Sequence, residues 1–109
     1  MRALVVVAVL VVTTPAYADR DFCAPGTRYR GATIDLDVKQ ADVQEVFRLL
    51  SDVGRVNIVV PDDVRGKVTL RLRRVPWDQV ACTVAAVQQL TITVNGNVLL
   101  VMPRKSSSS

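Results

Sequence analysis

No histidine occurs anywhere in the 109 residues. That removes the commonest metal ligand, the usual general base near neutral pH and the familiar nucleophilic triads together. Two cysteines, Cys23 and Cys82, are too few to close a zinc site. Aromatic residues make up only 5% of the chain and are not interleaved with basic ones, so single-stranded nucleic acid finds no stacking platform. The net charge of +4 is modest, with basic residues scattered among Asp35, Asp37, Asp42, Asp52, Asp62 and Asp63, which is not a nucleic-acid signature. Gly54, Gly66 and Gly96 stand too far apart to assemble a phosphate loop. Pro61-Asp62-Asp63 reads as a solvated turn rather than an acid/base or metal pair. No catalytic residue, metal, cofactor or small-molecule substrate is expected, and the chain does not read as an enzyme.

What is present begins with an export signal. Arg2 supplies a positive start, Ala3 to Val12 form an unbroken apolar run, and Ala16-Tyr17-Ala18 has the small-x-small form of a signal peptidase site. Ten apolar residues closed by Thr13, Thr14 and Pro15 are too short for a membrane span, which takes about 20. Cys23 follows Arg20-Asp21-Phe22 rather than small apolar residues, which argues against a lipid anchor. Residues 1–18 are therefore expected to be a signal peptide cleaved after Ala18, leaving a periplasmic chain. Cleavage removes Arg2 and no acidic residue, so the balance falls from +4 to +3.

Two cysteines in an exported chain suggest one disulfide, two unpaired thiols being the competing reading. On a helix starting near Pro76, Trp77, Val80, Val84 and Val87 share one face, while Cys82 points almost the opposite way with Asp78 and Gln89. Cys82 is thereby placed to clamp an arm carrying Cys23. Residues 19–32, with Pro25, Gly26 and Gly31, have no clear period and read as that arm.

Periodicity sharpens from residue 33. Ile34, Leu36 and Val38 alternate with Thr33, Asp35 and Asp37, predicting a half-buried strand. Val43, Val46, Phe47 and Leu50 then recur at helical spacing, with Gln44, Glu45, Arg48 and Asp52 toward water. Asp42 and Glu45 resemble a capping box, and Gly54 supplies the stop. Asn57 to Val60 predicts a short strand. Gly66 opens the next one, in which Val68, Leu70 and Leu72 face inward and Thr69, Arg71 and Arg73 outward. Pro76 suits a first helical residue, because its missing N–H would have no partner there, and Trp77 is expected to anchor the helix start by burial. Two strands close the chain, 91–94 and 98–102, joined by Asn95-Gly96 as the central turn residues. The order β-α-β-β-α-β-β, with strand pairs between the helices, gives an α+β domain over 33–103 and argues against a doubly wound parallel sheet. Residues 104–109 are expected to be a disordered tail.

Asp35 and Asp37 lie on one strand face and Arg71 and Arg73 on the corresponding face of another. The plain reading is cross-strand charge pairing on the outside of a small sheet. It is also the most plausible docking surface, since an exposed edge accepts a partner strand and neighbouring charges select it.

The stretches IDLDVKQADVQEVFRLLSDVGRVNIVV and VRGKVTLRLRRVPWDQV resemble the short N-terminal module (STN, or N0) shared by secretins and TonB-dependent transducers, especially that of the type IV pilus secretin. The most specific piece is the run of Gly66, Val68, Leu70, Leu72, Val75, Pro76, Trp77 and Asp78. The resemblance implies two helices sandwiched between a two-stranded and a three-stranded sheet. Strand 33–38 would pair with 67–74, and 57–60 would join the terminal hairpin. It also implies a non-enzymatic interaction module at the periplasmic end of an outer-membrane machine, with envelope proteins of a secretion or pilus assembly as partners. No further modules and no barrel-forming segment follow in this sequence, so a free-standing copy of the module is the expectation. The alternatives are a signalling module pairing with an anti-sigma regulator, as in the transducers, and a small cell-wall binder.

Overall fold

The computed structural model describes residues 20–104; the leader expected over 1–18 and the tail from Lys105 lie outside the described residues. In chain order the elements are β1 (Arg20–Asp21), β2 (Thr33–Asp42), α1 (Val43–Gly54), β3 (Asn57–Val59), β4 (Lys67–Pro76), α2 (Trp77–Val87), β5 (Leu90–Asn95) and β6 (Val98–Pro103). From residue 33 onward this is the predicted β-α-β-β-α-β-β order.

Strands β2 and β4 pair antiparallel as a two-stranded sheet. Their inward residues Leu36, Val68 and Leu70 are buried, and Ile34, Val38 and Leu72 pack against the same core. Both strands are longer than their alternation predicts, because each carries an extra residue. Between the Ile34–Val75 and Leu36–Leu72 pairs β4 has one residue more than β2, and between Val38–Leu70 and Ala41–Val68 the excess lies in β2. At these two bulges Arg74 (φ 56°) and Gln40 (φ 53°) adopt left-handed backbone. Strict alternation would turn Arg74 and Gln40 toward the core and push Val75 and Ala41 out. The bulges reverse the phase, leaving both polar residues exposed and both apolar ones half-buried. Avoiding a buried arginine outweighs the roughly 1–2 kcal/mol that each left-handed non-glycine residue costs.

Each strand of this sheet runs without a loop into a helix. Asp42 ends β2 and caps α1, its carboxylate accepting from the Gln44 N–H at 3.0 Å. The predicted apolar stripe of α1 is buried as Val43, Val46, Phe47 and Leu50. Gln44, assigned to solvent by the same pattern, instead donates from Nε2 to the Pro61 and Val64 carbonyls at 2.8 and 2.9 Å, pinning the β3–β4 connection. Pro76 is the residue before α2 rather than its first residue, so the helix starts on Trp77, whose N–H is taken by the Ala32 carbonyl at 3.0 Å. The buried side of α2 is Trp77, Val80, Ala81, Val84 and Ala85. Val87, predicted on that side, lies at its margin in the last turn and is 60% exposed.

The second sheet has the order β1-β5-β6-β3, four strands where three were expected. β3 lies parallel to β6, and β5 and β6 form the terminal hairpin. The fourth strand comes from the arm: Arg20 and Asp21 pair antiparallel with Val94 and Thr93, and the Phe22 N–H reaches the Ile92 carbonyl at 2.9 Å. Pairing of Asn95 with Val98 makes Gly96-Asn97 the two-residue loop, one position later than predicted. Of the two, only Gly96 (φ 60°) has positive φ, the pattern of a turn with glycine first. The helices fill the space between the sheets, with Ile92, Leu99 and Val101 closing the core from the four-stranded side. Arg104, assigned to the tail from sequence, donates its N–H to the Gln89 carbonyl at 2.9 Å.

Trp77 sits where arm, helices and sheet meet. Phe22 stacks on it with ring centroids 6.1 Å apart, and Asp78 beside it accepts from the Arg30 and Gly31 N–H groups at 3.1 and 3.2 Å. The indole is only 9% exposed, as its predicted anchoring role requires. Two glycines lie close against it. A Cβ on Gly54 would fall 2.5 Å from Trp77 Cε2, and one on Gly31 would overlap the pyrrole edge of the indole. Gly54 is therefore not the helix stop that its position suggests. Arg55 (φ 53°) takes the left-handed cap instead, and Gly54 is kept small by the tryptophan. Gly54→Ala is expected to cost about 1–3 kcal/mol by overpacking, although alanine is intrinsically the better helix former. Urea unfolding would show this as a lower midpoint with an unchanged slope.

Candidate docking surface

The residues singled out from sequence come together on the outer side of the β2–β4 sheet. Asp37 lies directly across from Arg71 in register. Asp35 falls opposite the β4 bulge, where its carboxylate accepts from the Arg74 backbone N–H at 2.8 Å. Asp35 is thus a structural clasp on the bulge as well as a surface charge. Asp35, Asp37, Arg71 and Arg73 are all exposed, and so are Lys39, Gln40 and Arg74 beside them. The bulge adds Arg74 to this face, which alternation alone would have sent inward. A same-phase break, in which polar residues occur consecutively (Arg73-Arg74, Lys39-Gln40) inside an otherwise alternating strand, was the available signal.

Gly66, Pro76, Trp77 and Gly96, read from sequence as turn, helix-start and anchor residues, also have definite places. The Gly66 carbonyl accepts the Val43 N–H at 3.0 Å, joining the start of β4 to the start of α1. Pro76 pairs with Thr33 at the far end of the same sheet, Trp77 opens α2, and Gly96 turns the β5–β6 hairpin. Cys23 and Cys82 are bonded to each other, their Cα atoms 5.6 Å apart. Cys82 is buried at 8% exposure, although it lies off the main stripe of α2, because the arm that it clamps covers it.

Among the described residues no cluster of His, Cys, Asp or Glu side chains could hold a metal ion, and no helix is long and apolar enough to cross a membrane. No polar or charged residue among them is buried. Charge is displayed on the surface of this domain.

The sequence is similar to that of the fimbrial assembly protein PilQ of Pseudomonas aeruginosa, with 41% identity over 75 residues that cover 69% of this chain and 10% of the relative. The type IV pilus biogenesis and competence protein PilQ of Neisseria meningitidis is 36% identical over 81 residues, 74% of this chain and 10% of the relative. Among solved structures, the N0 domain of the type II secretin from enterotoxigenic Escherichia coli superimposes with a TM-score of 0.58 over 69% of this chain and 96% of that domain, at 21% identity. The type IV competence pilus secretin PilQ of Vibrio cholerae gives a TM-score of 0.57 at 40% identity, over 62% of this chain and 16% of the other. This chain carries a secretin N-terminal domain. No family model matches it. It spans about a tenth of the length of the curated relatives cited. In this secretin N-terminal domain the sandwich expected from the resemblance is present, widened by one arm strand on the β5 edge.

Proposed function

We propose that this secretin N-terminal domain is a periplasmic, non-enzymatic docking module, exported by cleavage after Ala18, and that its β2–β4 face holds an envelope protein of a type IV pilus or related secretion assembly. The observation that carries the reading is the exposed, register-matched Asp37–Arg71 pair on a two-stranded sheet, flanked by Asp35 and Arg73. A two-stranded sheet has an edge on each side and relies on its packed face for stability, so its outer face is free to be specific. The relatives are named for pilus assembly and competence, which supports an envelope machine as the setting.

The register supplies a test that leaves the fold intact. Asp37→Arg alone and Arg71→Glu alone each set like charges opposite one another, a cost of about 0.2–1 kcal/mol. The double exchange restores the cross-strand pair with its polarity reversed. Capture from solubilised envelopes with the tagged full chain is expected to recover pilus or secretion subunits, and the doubly exchanged chain is expected to lose them while unfolding at the wild-type urea midpoint. An unchanged set of captured proteins would remove this face from consideration.

A further inference from the structure

The charges on the docking face are not balanced. Its outward side chains include five cations, Lys39, Lys67, Arg71, Arg73 and Arg74, against three carboxylates, Asp35, Asp37 and Asp42, the last directly across from Lys67. Asp42 at the end of β2 is committed to capping α1. Residues 20–104 hold 12 Lys and Arg against 9 Asp and Glu. Two of that excess of three charges lie on this one face. The Asp35 carboxylate is likewise engaged, by the Arg74 N–H. Four of the five cations lie on β4, and the bulge aims Arg73 and Arg74 to solvent together.

Among the described residues, β4 has β2 on one side and no strand on the other. Gln88 touches only its start, through Nε2 to the Lys67 carbonyl at 3.1 Å. Arg71 and Arg73 are two residues apart on one face, a spacing of about 7 Å along a strand. That is the spacing of alternate side chains on any other extended chain laid beside it. Guanidinium groups favour carboxylates with paired hydrogen bonds, and an unpaired strand edge favours a backbone. Resting on the docking reading above, we infer that the partner is received as an acidic extended segment of a protein, added along the free edge of β4 with carboxylates at alternate positions facing Arg71 and Arg73. A nucleic-acid strand fits the face less well. No aromatic residue belongs to either strand, so bases have nothing to stack on, and Asp35 and Asp37 interrupt the path of a phosphate backbone.

The probe is a synthetic peptide alternating glutamate with threonine, titrated into the full oxidised chain and followed by fluorescence anisotropy. Saturable binding is expected, weakened about tenfold or more by Arg71→Glu with Arg73→Glu, and unchanged by Arg48→Glu on the exposed side of α1. A matched lysine–threonine peptide should not bind. An acidic peptide with proline at the alternating threonine positions keeps the charge but loses those backbone donors, and should bind at least tenfold more weakly. Equal binding of the lysine peptide, equal binding of the proline peptide, or displacement by a single-stranded oligonucleotide at matching concentration would each overturn the inference. If the acidic peptide fails to bind while the Asp37→Arg, Arg71→Glu exchange still loses the captured envelope proteins, the acidic strand is wrong and the docking face stands. If the peptide binds and the captured set does not change, the docking reading is the one that falls.

Discussion

Trp77→Ala is expected to lower the unfolding free energy by about 3–5 kcal/mol, the range for removal of a buried aromatic side chain. Small domains hold about 5–15 kcal/mol in total, so this variant would be marginal or partly unfolded at ambient temperature. The upper part of the range is expected because of what surrounds the ring. Gly31 and Gly54 lie against it and have no side chains that could swing into the space, so the hole closes only if the backbone of α1 or of the arm moves. Phe22 would lose its stacking partner at the same time. Because Trp77 is the only tryptophan, unfolding is followed by far-UV circular dichroism in urea. Trp77→Phe should recover part of the loss. A tryptophan-to-alanine midpoint within error of wild type would show that the indole is not the anchor of this core.

Opening the Cys23–Cys82 disulfide is the second large effect. The bond spans 59 residues, and a loop of that length contributes about 4 kcal/mol in the chain-entropy model. It joins two parts of one cover: the arm residue that follows β1 and Phe22, and the helix α2 whose first residue is the tryptophan. Reduction should therefore do two separable things. The global urea midpoint should fall, and amide exchange over residues 20–23 and 92–94 should speed up as β1 leaves the β5 edge. Cys23→Ser with Cys82→Ala should reproduce both without leaving a reductant in the sample or a hydroxyl at the buried site. The Asp78 hydrogen bonds to the Arg30 and Gly31 N–H groups involve neither cysteine, so exchange at residues 30 and 31 should change less than at 20–23. Uniform exchange along the arm, or an unchanged midpoint, would count against this account.

The features legible in the sequence share a local cause. The α1 stripe of Val43, Val46, Phe47 and Leu50 and the alternation of Val68, Leu70 and Leu72 follow from the periods of a helix and a strand, which nearby residues suffice to set. The disulfide was legible because the leader-like start of the sequence and the off-stripe position of Cys82 pointed the same way. Where the reading slipped, a distant partner had overruled the local rule. Gly54 looked like a helix stop because glycine usually tolerates left-handed backbone, yet Trp77, 23 residues later in the sequence, is what keeps it small. Gln44 looked solvent-facing by phase, yet it is long enough to reach two carbonyls of a connection that only the fold brings near. The arm showed no period because a two-residue strand is too short to have one.

The proposed docking face divides in the same way. That Asp35 and Asp37 share the outer side of one strand, and Arg71 and Arg73 that of another, follows from alternation. That Asp37 meets Arg71, that Asp35 holds a bulge, and that Arg74 joins the face depend on register and on two left-handed residues. Neighbours along the chain therefore decided which segments coil, which extend and which side of each is oily, because these are properties of a few consecutive residues. Register, bulges, the added arm strand and the glycine-flanked indole arise only when segments far apart along the chain come together. Their energies belong to pairs of surfaces, and no single stretch of residues encodes them.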